Sequence, residues 1–441
     1  MDPASTTRGK WMALTAAFLG WMFDGLEIGL FPLVSRPALY ELLGEQAQKN
    51  IVPWTVAITS LFLVGAACGG LLFGWMGDRV GRVRAMIWSV LTYSIFSGLC
   101  AFAAEAWQLG ALRFLSALGM GGEWSLGVAL VMEIWPSKAR PMLAGLIGAA
   151  ANFGFMLIGW LALARSDPTF NTWLQEHFGG IFPDAWFTSQ GYWRFLVFLG
   201  AVPALLTFFI RIFVPESEKW KHAAAAAPKV RVPDIFVPGL SRMTILGACL
   251  AAVALLGTWG SVQQATPWAN QMASQQAKDH PELGINPAAE TAWTQIYIAG
   301  GAIVGTMTAA LLAQQFNRRS VYFALCLLSL GICQYLFRGI REFGTEFIVM
   351  ATLANGLTAA FYGWLPLYLP ELFPTRVRAM GQGFSFNSGR ILAAVAAIIV
   401  AVQYRGKEDY PSMCAVTSLV YVVGLGLIWL CPETKGRPLP E

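Results

Sequence analysis

The sequence predicts an all-α membrane protein in which twelve transmembrane helices form two pseudo-symmetric six-helix bundles. Three observations carry that prediction. The 441 residues are 56% hydrophobic and only 12% charged, with a mean hydropathy of +0.55 and 18 Trp, a composition foreign to soluble domains. Short polar turns separate twelve apolar runs, each near the ~20 residues that a hydrocarbon core of about 30 Å requires. Finally, EIWPSKARPM (Glu133 to Met142) recurs as ELFPTRVRAM (Glu371 to Met380). Glu, Pro, a hydroxyl residue, a basic residue, Arg and Met stand at the same offsets, the mark of two related halves.

The runs lie at roughly 9–34, 53–76, 83–104, 108–131, 143–164, 192–214, 243–266, 291–313, 320–338, 346–369, 380–403 and 412–431. The strand alternation of a membrane barrel is absent. The expected bundles are 1–215 and 241–441, joined by a linker at 216–240. The net charge of +5 is spread by topology and gathers in no patch for nucleic acid. With the N-terminus cytoplasmic, nineteen of the thirty Lys and Arg fall in cytoplasmic segments and nine in outer ones, leaving Arg113 and Arg390 inside spans. The positive-inside rule then places both termini in the cytoplasm. The seven cysteines sit in or at the ends of apolar runs with no C-x-x-C spacing, and the three histidines fall in loops. Packing is therefore expected of the cysteines, and neither a metal site nor a histidine relay is expected. The first run is too long and too acidic for a cleaved signal peptide.

Along the chain, the first span places Asp24 and Glu27 one turn apart on one helix face. In lipid both must look into the protein, either as an ion pair that holds helices together or as a protonation site. After the second span comes GWMGDRVGRVR, in which Gly77 and Gly81 permit a tight turn, Asp78 suits the positive N-terminus of a neighbouring helix, and three arginines anchor the face.

The pattern G-x-x-x-D-R-x-G-R-x-R between two spans resembles the loop motif of the major facilitator superfamily, twelve-helix transporters built from two six-helix bundles. The corresponding loop of the second half, ALLAQQFNRRS, keeps Arg318 and Arg319 but has Gln314 in place of the acid. A charge latch there is expected on one side only.

The fourth span adds Arg113, Gly119, Gly121, Gly122 and Glu123. The glycines suit close helix packing, and Glu123 is either functional or the partner of a basic group. Both halves end on related turns, PES at 215–217 and PET at 432–434, which resemble the endings of the sugar-porter and organic-ion branches. The linker, with Lys219, Lys221, Lys229 and Arg231 and an alanine run, suits a short helix at the inner membrane surface. The seventh span offers Gln263, Gln264 and Asn270, similar to the Gln pair and Asn of sugar porters with the Asn one residue too far along. The tenth supplies Tyr362 and Trp364 near the expected cavity, and the eleventh Asn387, Gly389 and Arg390.

Asp-Gly-Leu-Glu in the first span, Gly-Gly-Glu-Trp in the fourth, the E-x-W-P-x-x-x-R turn and Asn387, Gly389 and Arg390 together resemble the metabolite and organic-acid proton symporters. These include sialate, lactate, aromatic-acid and nicotinate carriers, with organic-anion carriers more distant. The resemblance implies a monomeric, proton-coupled symporter of a small organic anion, a monocarboxylate such as lactate, in a bacterial inner membrane. It needs no cofactor other than the proton. Arg390 would clamp the carboxylate, with Asn387, Tyr362, Trp364, Gln263 and Gln264 around the substrate. Asp24, Glu27 and Glu123 would carry the proton, and Asp78, Arg82, Glu133, Arg140, Glu371 and Arg378 would form the cytoplasmic latch. The rival readings are a sugar porter using Gln263, Gln264 and Asn270, an exporter of the same fold, and an Arg390 engaged only in a structural ion pair. No nucleophile–base pair or phosphate loop points to an enzyme.

Overall fold

The computed structural model describes residues 6–165, 168–188, 191–226, 230–403 and 409–441; Lys229 lies outside them. Thr6 caps the first helix through a hydrogen bond from the Gly9 amide, and α1 (Thr7–Leu43) runs nine residues beyond the end of its apolar run before Gly44, at φ 52°, stops it. α2 (Ala47–Val80) and α3 (Arg82–Leu99) are separated by the single residue Gly81, at φ 115°, a conformation that a side chain would strain. α4 (Ala106–Ile134) and α5 (Arg140–Arg165) follow. A short helix, α6 (Pro168–Phe178), lies between the fifth and sixth spans.

The sixth span is broken into α7 (Tyr192–Phe198) and α8 (Ala204–Phe213) near Pro203. The alanine run of the linker forms α9 (Glu218–Ala226). In the second half, α10 (Ser241–Trp259) and α11 (Ala265–Asp279) share the seventh span, broken at Gly260 and Ser261. α12 (Pro287–Gln315) starts on an Asn286 cap with Pro287 in its first turn, a position where the missing N–H is harmless. α13 (Arg318–Gly339), the pair α14 (Thr345–Ala359) and α15 (Phe361–Leu372), α16 (Arg378–Gln403), and the pair α17 (Tyr410–Thr417) and α18 (Val420–Leu427) complete the chain. Among the described residues eleven helices or helix pairs are long and apolar enough to cross a membrane, and α16 holds the remaining run.

The start of α1 and the end of the chain lie at one face, called here the terminal face. The Trp135 indole donates to the Lys10 carbonyl, and Arg378 of α16 donates to the Pro440 carbonyl. The halves meet along two seams, α2 against α16 and α5 against α12. Backbones touch there because glycine leaves room. A Cβ on Gly74 would fall 2.7 Å from the Ala379 carbonyl oxygen, and one on Gly148 2.2 Å from that of Tyr362. At the opposite face Arg194 of α7 donates to Glu41 of α1 at 2.8 Å and to the Ala101 and Ala103 carbonyls, which fastens the end of the broken sixth span to α1 and α3.

Candidate substrate and proton site

At the terminal face the charged motif residues form two groups, Asp78, Arg82, Glu133 and Arg378 across the halves and Arg318 with Glu371 within the second half. Asp78 accepts from the Ala379 and Met380 amides at 3.1 and 2.8 Å, at the N-terminus of α16 in the other half. A carboxylate at that position meets both free N–H groups and the positive end of the helix dipole. Arg82 donates to Asp78 at 2.5 Å, to the Gly77 carbonyl, to Glu133 at 3.1 Å and across the halves to the Thr375 carbonyl at 2.8 Å. Arg378 donates to Glu133 at 3.0 Å. In the second half Arg318 repeats the arrangement, donating to the Ala313 carbonyl and to Glu371 at 2.9 Å. No ion pair joins Arg140 to Glu371, although the two repeat the positions of Arg378 and Glu133.

Two further acids, Glu216 and Glu433, complete these two groups. Glu216 accepts from the Arg82 and Val83 amides at 3.0 and 3.1 Å, and Glu433 from the Arg318 and Arg319 amides at 3.1 and 3.2 Å. Each caps the helix that follows its half's basic turn. The signal was the PES and PET echo. Burial pushes the Glu216 carboxyl above its ordinary range. Burial also opposes charge on the less enclosed Glu433, but the amides of Lys435, Arg319, Arg318 and Thr434 outweigh it and hold that carboxyl below its ordinary range.

In the membrane interior, Glu27 is buried on α1. Its carboxylate takes a 2.5 Å ion pair from Arg113 and hydrogen bonds from Ser97 and Ser116, and the Arg113 guanidinium lies between the Phe31 and Phe62 rings. That group is closed within the first bundle. Asp24, one turn earlier, faces Glu123 of α4 within hydrogen-bonding reach. Glu123 lies in space that Gly20 leaves open, since a Cβ there would fall 1.6 Å from its Oε1. Both carboxyls are buried, and Asp24 Oδ1 and both Glu123 oxygens have no donor among the described residues.

Arg390 of α16 is buried and forms no ion pair among the described residues. Its Nη1 has no partner among the described residues, and Asp24 and Tyr362 lie close enough to act on its charge. The guanidinium stands 5.7 Å from the ring centre of Phe386, one turn back on α16. Phe386 stacks on Trp124 at 3.9 Å and meets Trp21 and Tyr362 edge-on at 5.8 and 6.2 Å. α1, α4, α15 and α16 thus converge from both halves on one buried aromatic cluster with Asp24, Glu123 and Arg390 beside it. Trp21, Trp124 and Phe386 lie outside the set of site residues expected from the sequence. Trp21 and Trp124 neighbour the acids in sequence, but nothing marks Phe386 among 29 phenylalanines.

The remaining candidates sit elsewhere. Asn387 is buried at the seam, its amide nitrogen donating to the Gly121 and Gly383 carbonyls at 2.9 Å. Trp364 is fully buried near the terminal face, stacked on Tyr368 and donating to the Arg318 carbonyl. Gln264 donates to the Trp259 carbonyl, Gln263 lies half-buried beside it in the break of the seventh span, and Asn270 is exposed and donates to Thr291. Gly389 packs against Ala252 of α10.

Residues 12–227 and 282–441 match the family model described as sugar (and other) transporter. The chain is 26% identical to a putative metabolite transport protein of Haemophilus influenzae, over 97% of this chain and 98% of that one. It is 28% identical to the cis,cis-muconate transport protein of Acinetobacter baylyi, over 87% and 85%. In fold it is similar to the proton:xylose symporter XylE of E. coli, with a TM-score of 0.74, 15% identity and 98% of each chain covered. On the family match, the paired bundles and the basic turns, the chain belongs to the sugar (and other) transporter family of the major facilitator superfamily.

Proposed function

We propose that this transporter is a proton-coupled symporter of a small organic anion, a monocarboxylate, acting as a monomer in a bacterial inner membrane with the terminal face in the cytoplasm. The observation that carries the reading is Arg390. An arginine at mid-membrane depth costs about 2.5–3.5 kcal/mol on an insertion scale, and among the described residues this one forms no ion pair and its Nη1 has no partner. A guanidinium so placed offers a carboxylate a planar two-point fork that keeps its charge when dry. The proton falls to Asp24 and Glu123. A hydrogen bond between two facing carboxyls requires a proton on one of them, and a change in exposure as the bundles rock alters how firmly that proton is held.

The name of the muconate carrier, an organic-acid transporter, favours the anion reading. The likeness to XylE supports the fold, and the exposed Asn270, bonded to Thr291, gives a sugar site little support. The test is uptake into proteoliposomes. A monocarboxylate should accumulate when the lumen is more alkaline than the bath, and a membrane potential alone should not drive it, because one proton with one anion moves no net charge. Accumulation of a neutral sugar with no competition from carboxylates would overturn the reading.

A further inference from the structure

We propose that Phe386 is the residue that couples opening of the terminal face to the anion: Arg390 holds its ring against Trp124 of the other half, and a carboxylate on Arg390 releases it. This rests on Arg390 being the carboxylate's anchor and adds how its occupation reaches the seam.

α4 and α16 run antiparallel, and their contacts follow one another in register from the terminal face inward. Arg378 meets Glu133 at 3.0 Å, Gln382 donates to the Ser125 carbonyl, Phe386 stacks on Trp124 with ring centres 3.9 Å apart, and Asn387 donates to the Gly121 carbonyl at 2.9 Å. Among the described residues Asn387 is the last of α16 to bond across the seam. Three of these four layers are ion pairs or hydrogen bonds made away from Arg390. The Phe386 layer differs, because the Arg390 guanidinium stands over the same ring at 5.7 Å.

A cation within about 6 Å of a ring's face is attracted by its negative quadrupole, more strongly where water is excluded. Phe386 and Arg390 are both buried, and the Arg390 Nη1 has no partner among the described residues, so the ring stands in part where a counter-ion would. The two residues are one turn apart on α16, neighbours on one helix face. Their contact therefore fixes the rotamer that lays Phe386 parallel to Trp124, within 16°, and edge-on to Trp21 at 5.8 Å. A carboxylate that takes both prongs of the guanidinium cancels the charge that the ring feels, and the ring is free to turn off Trp124. A ligand shifts a two-state equilibrium only by binding the two states unequally; the closed state gives Arg390 a ring, and the opening state gives it to an anion. The consequence is coupling. A carrier with a proton on Asp24 or Glu123 and no anion keeps its ring clasped and stays shut at the terminal face, so protons do not cross alone.

Proton leak tests this, in proteoliposomes of the full-length chain with no anion substrate, read by a pH dye in the lumen after acidification outside. The wild type should hold the gradient. Phe386→Leu, which stays apolar and loses the ring, should dissipate it several-fold faster, and Trp124→Leu, which removes the opposing ring, carries the same expectation should Phe386→Leu not fold. Arg390→Gln should leak as well, and the double variant of Phe386→Leu and Arg390→Gln should leak no faster than the worse single one, because both break one linkage. Phe361→Leu is the packing control. Its ring is as buried and stacks on Tyr421 within the second half, so the variant should melt earlier and stay tight. Tight vesicles from whichever ring variant folds, additive leaks in the double variant, or an equal leak from Phe361→Leu would overturn the proposal and leave the monocarboxylate reading standing. Failure of the wild type to accumulate any of L-lactate, pyruvate, D-gluconate or 4-hydroxybenzoate above empty vesicles would overturn both.

Discussion

Arg378 crosses from the second bundle to Glu133 of the first, Nη1 to Oε1 at 3.0 Å, whereas Arg140, its counterpart in the first bundle, forms no ion pair with Glu371. The latch between the halves is one-sided. Glu371 is held inside its own bundle by Arg318 and Thr434, and Gln314 stands where an acid would otherwise reach the N-terminus of α5.

Arg378→Gln should therefore open the terminal face, and Arg140→Gln should not. Removing one partner of a buried pair typically costs about 3–5 kcal/mol, and here the loss falls only on the closed state. A cysteine replacing Gln382, whose side chain bridges to the Ser125 carbonyl across the seam, should label faster from the terminal side in Arg378→Gln than in the parent. Equal labelling in both arginine variants would show that the crossing pair does not hold the seam.

Asp24 and Glu27 should separate cleanly. Glu27→Gln breaks the buried pair with Arg113, so the protein should lose several degrees of melting temperature, in keeping with the ~3–5 kcal/mol of a broken buried pair. Asp24→Asn removes a carboxyl that forms no ion pair within 4 Å among the described residues, so it should cost less melting temperature than Glu27→Gln. It should lose accumulation driven by a pH gradient and keep substrate exchange, which needs no net proton movement. A strongly destabilised Asp24→Asn with a normal Glu27→Gln would reverse the assignment.

The two helix-capping acids should give opposite pH slopes. The carboxyl of Glu433 sits below its ordinary value of 4.5 in the folded protein, so its contribution is present above that pH and is lost as pH falls through the folded value. The melting temperature difference between wild type and Glu433→Gln should be present at neutral pH and shrink on acidification. Glu216, displaced upward by burial, holds its proton more firmly folded than unfolded, so its contribution declines as pH rises above the ordinary range. Parallel profiles for the two variants would contradict this.

Topology has its own check. A cysteine in place of Lys221, in the linker helix, should react only from the cytoplasm, and one in place of Asp279, at the end of α11, only from outside, as the basic-residue asymmetry requires. The opposite pattern would invert the direction assigned to every gate.

The repeat, the spans and the latch motif were legible in the sequence because each is written in local pattern: apolar length, a glycine turn, a twice-used Glu-x-x-Pro. The interior site was legible only in part. Asp24 and Glu27 share a helix face, and which of them is neutralised depended on Arg113, 86 residues away on α4. Tyr362 and Trp364 are two residues apart, about 200° around a helix, so at most one could face the cluster, and nothing local says which. Asn387 lies next to Phe386 and three residues from Arg390, yet its amide is held in the seam by the carbonyls of Gly121 and Gly383. Such choices are made by helix rotation within the bundle, and rotation follows from tertiary packing.

The central claim is that Arg390 anchors the substrate's carboxylate. Arg390→Lys tests it most directly, because lysine keeps the positive charge and loses the planar fork. The measurement is the dissociation constant of the transported carboxylate for purified, folded wild type and variant at one pH. The prediction is a stable protein whose affinity falls by at least about tenfold, or ~1.4 kcal/mol. Wild-type affinity in Arg390→Lys would contradict the account and leave the buried guanidinium a structural charge.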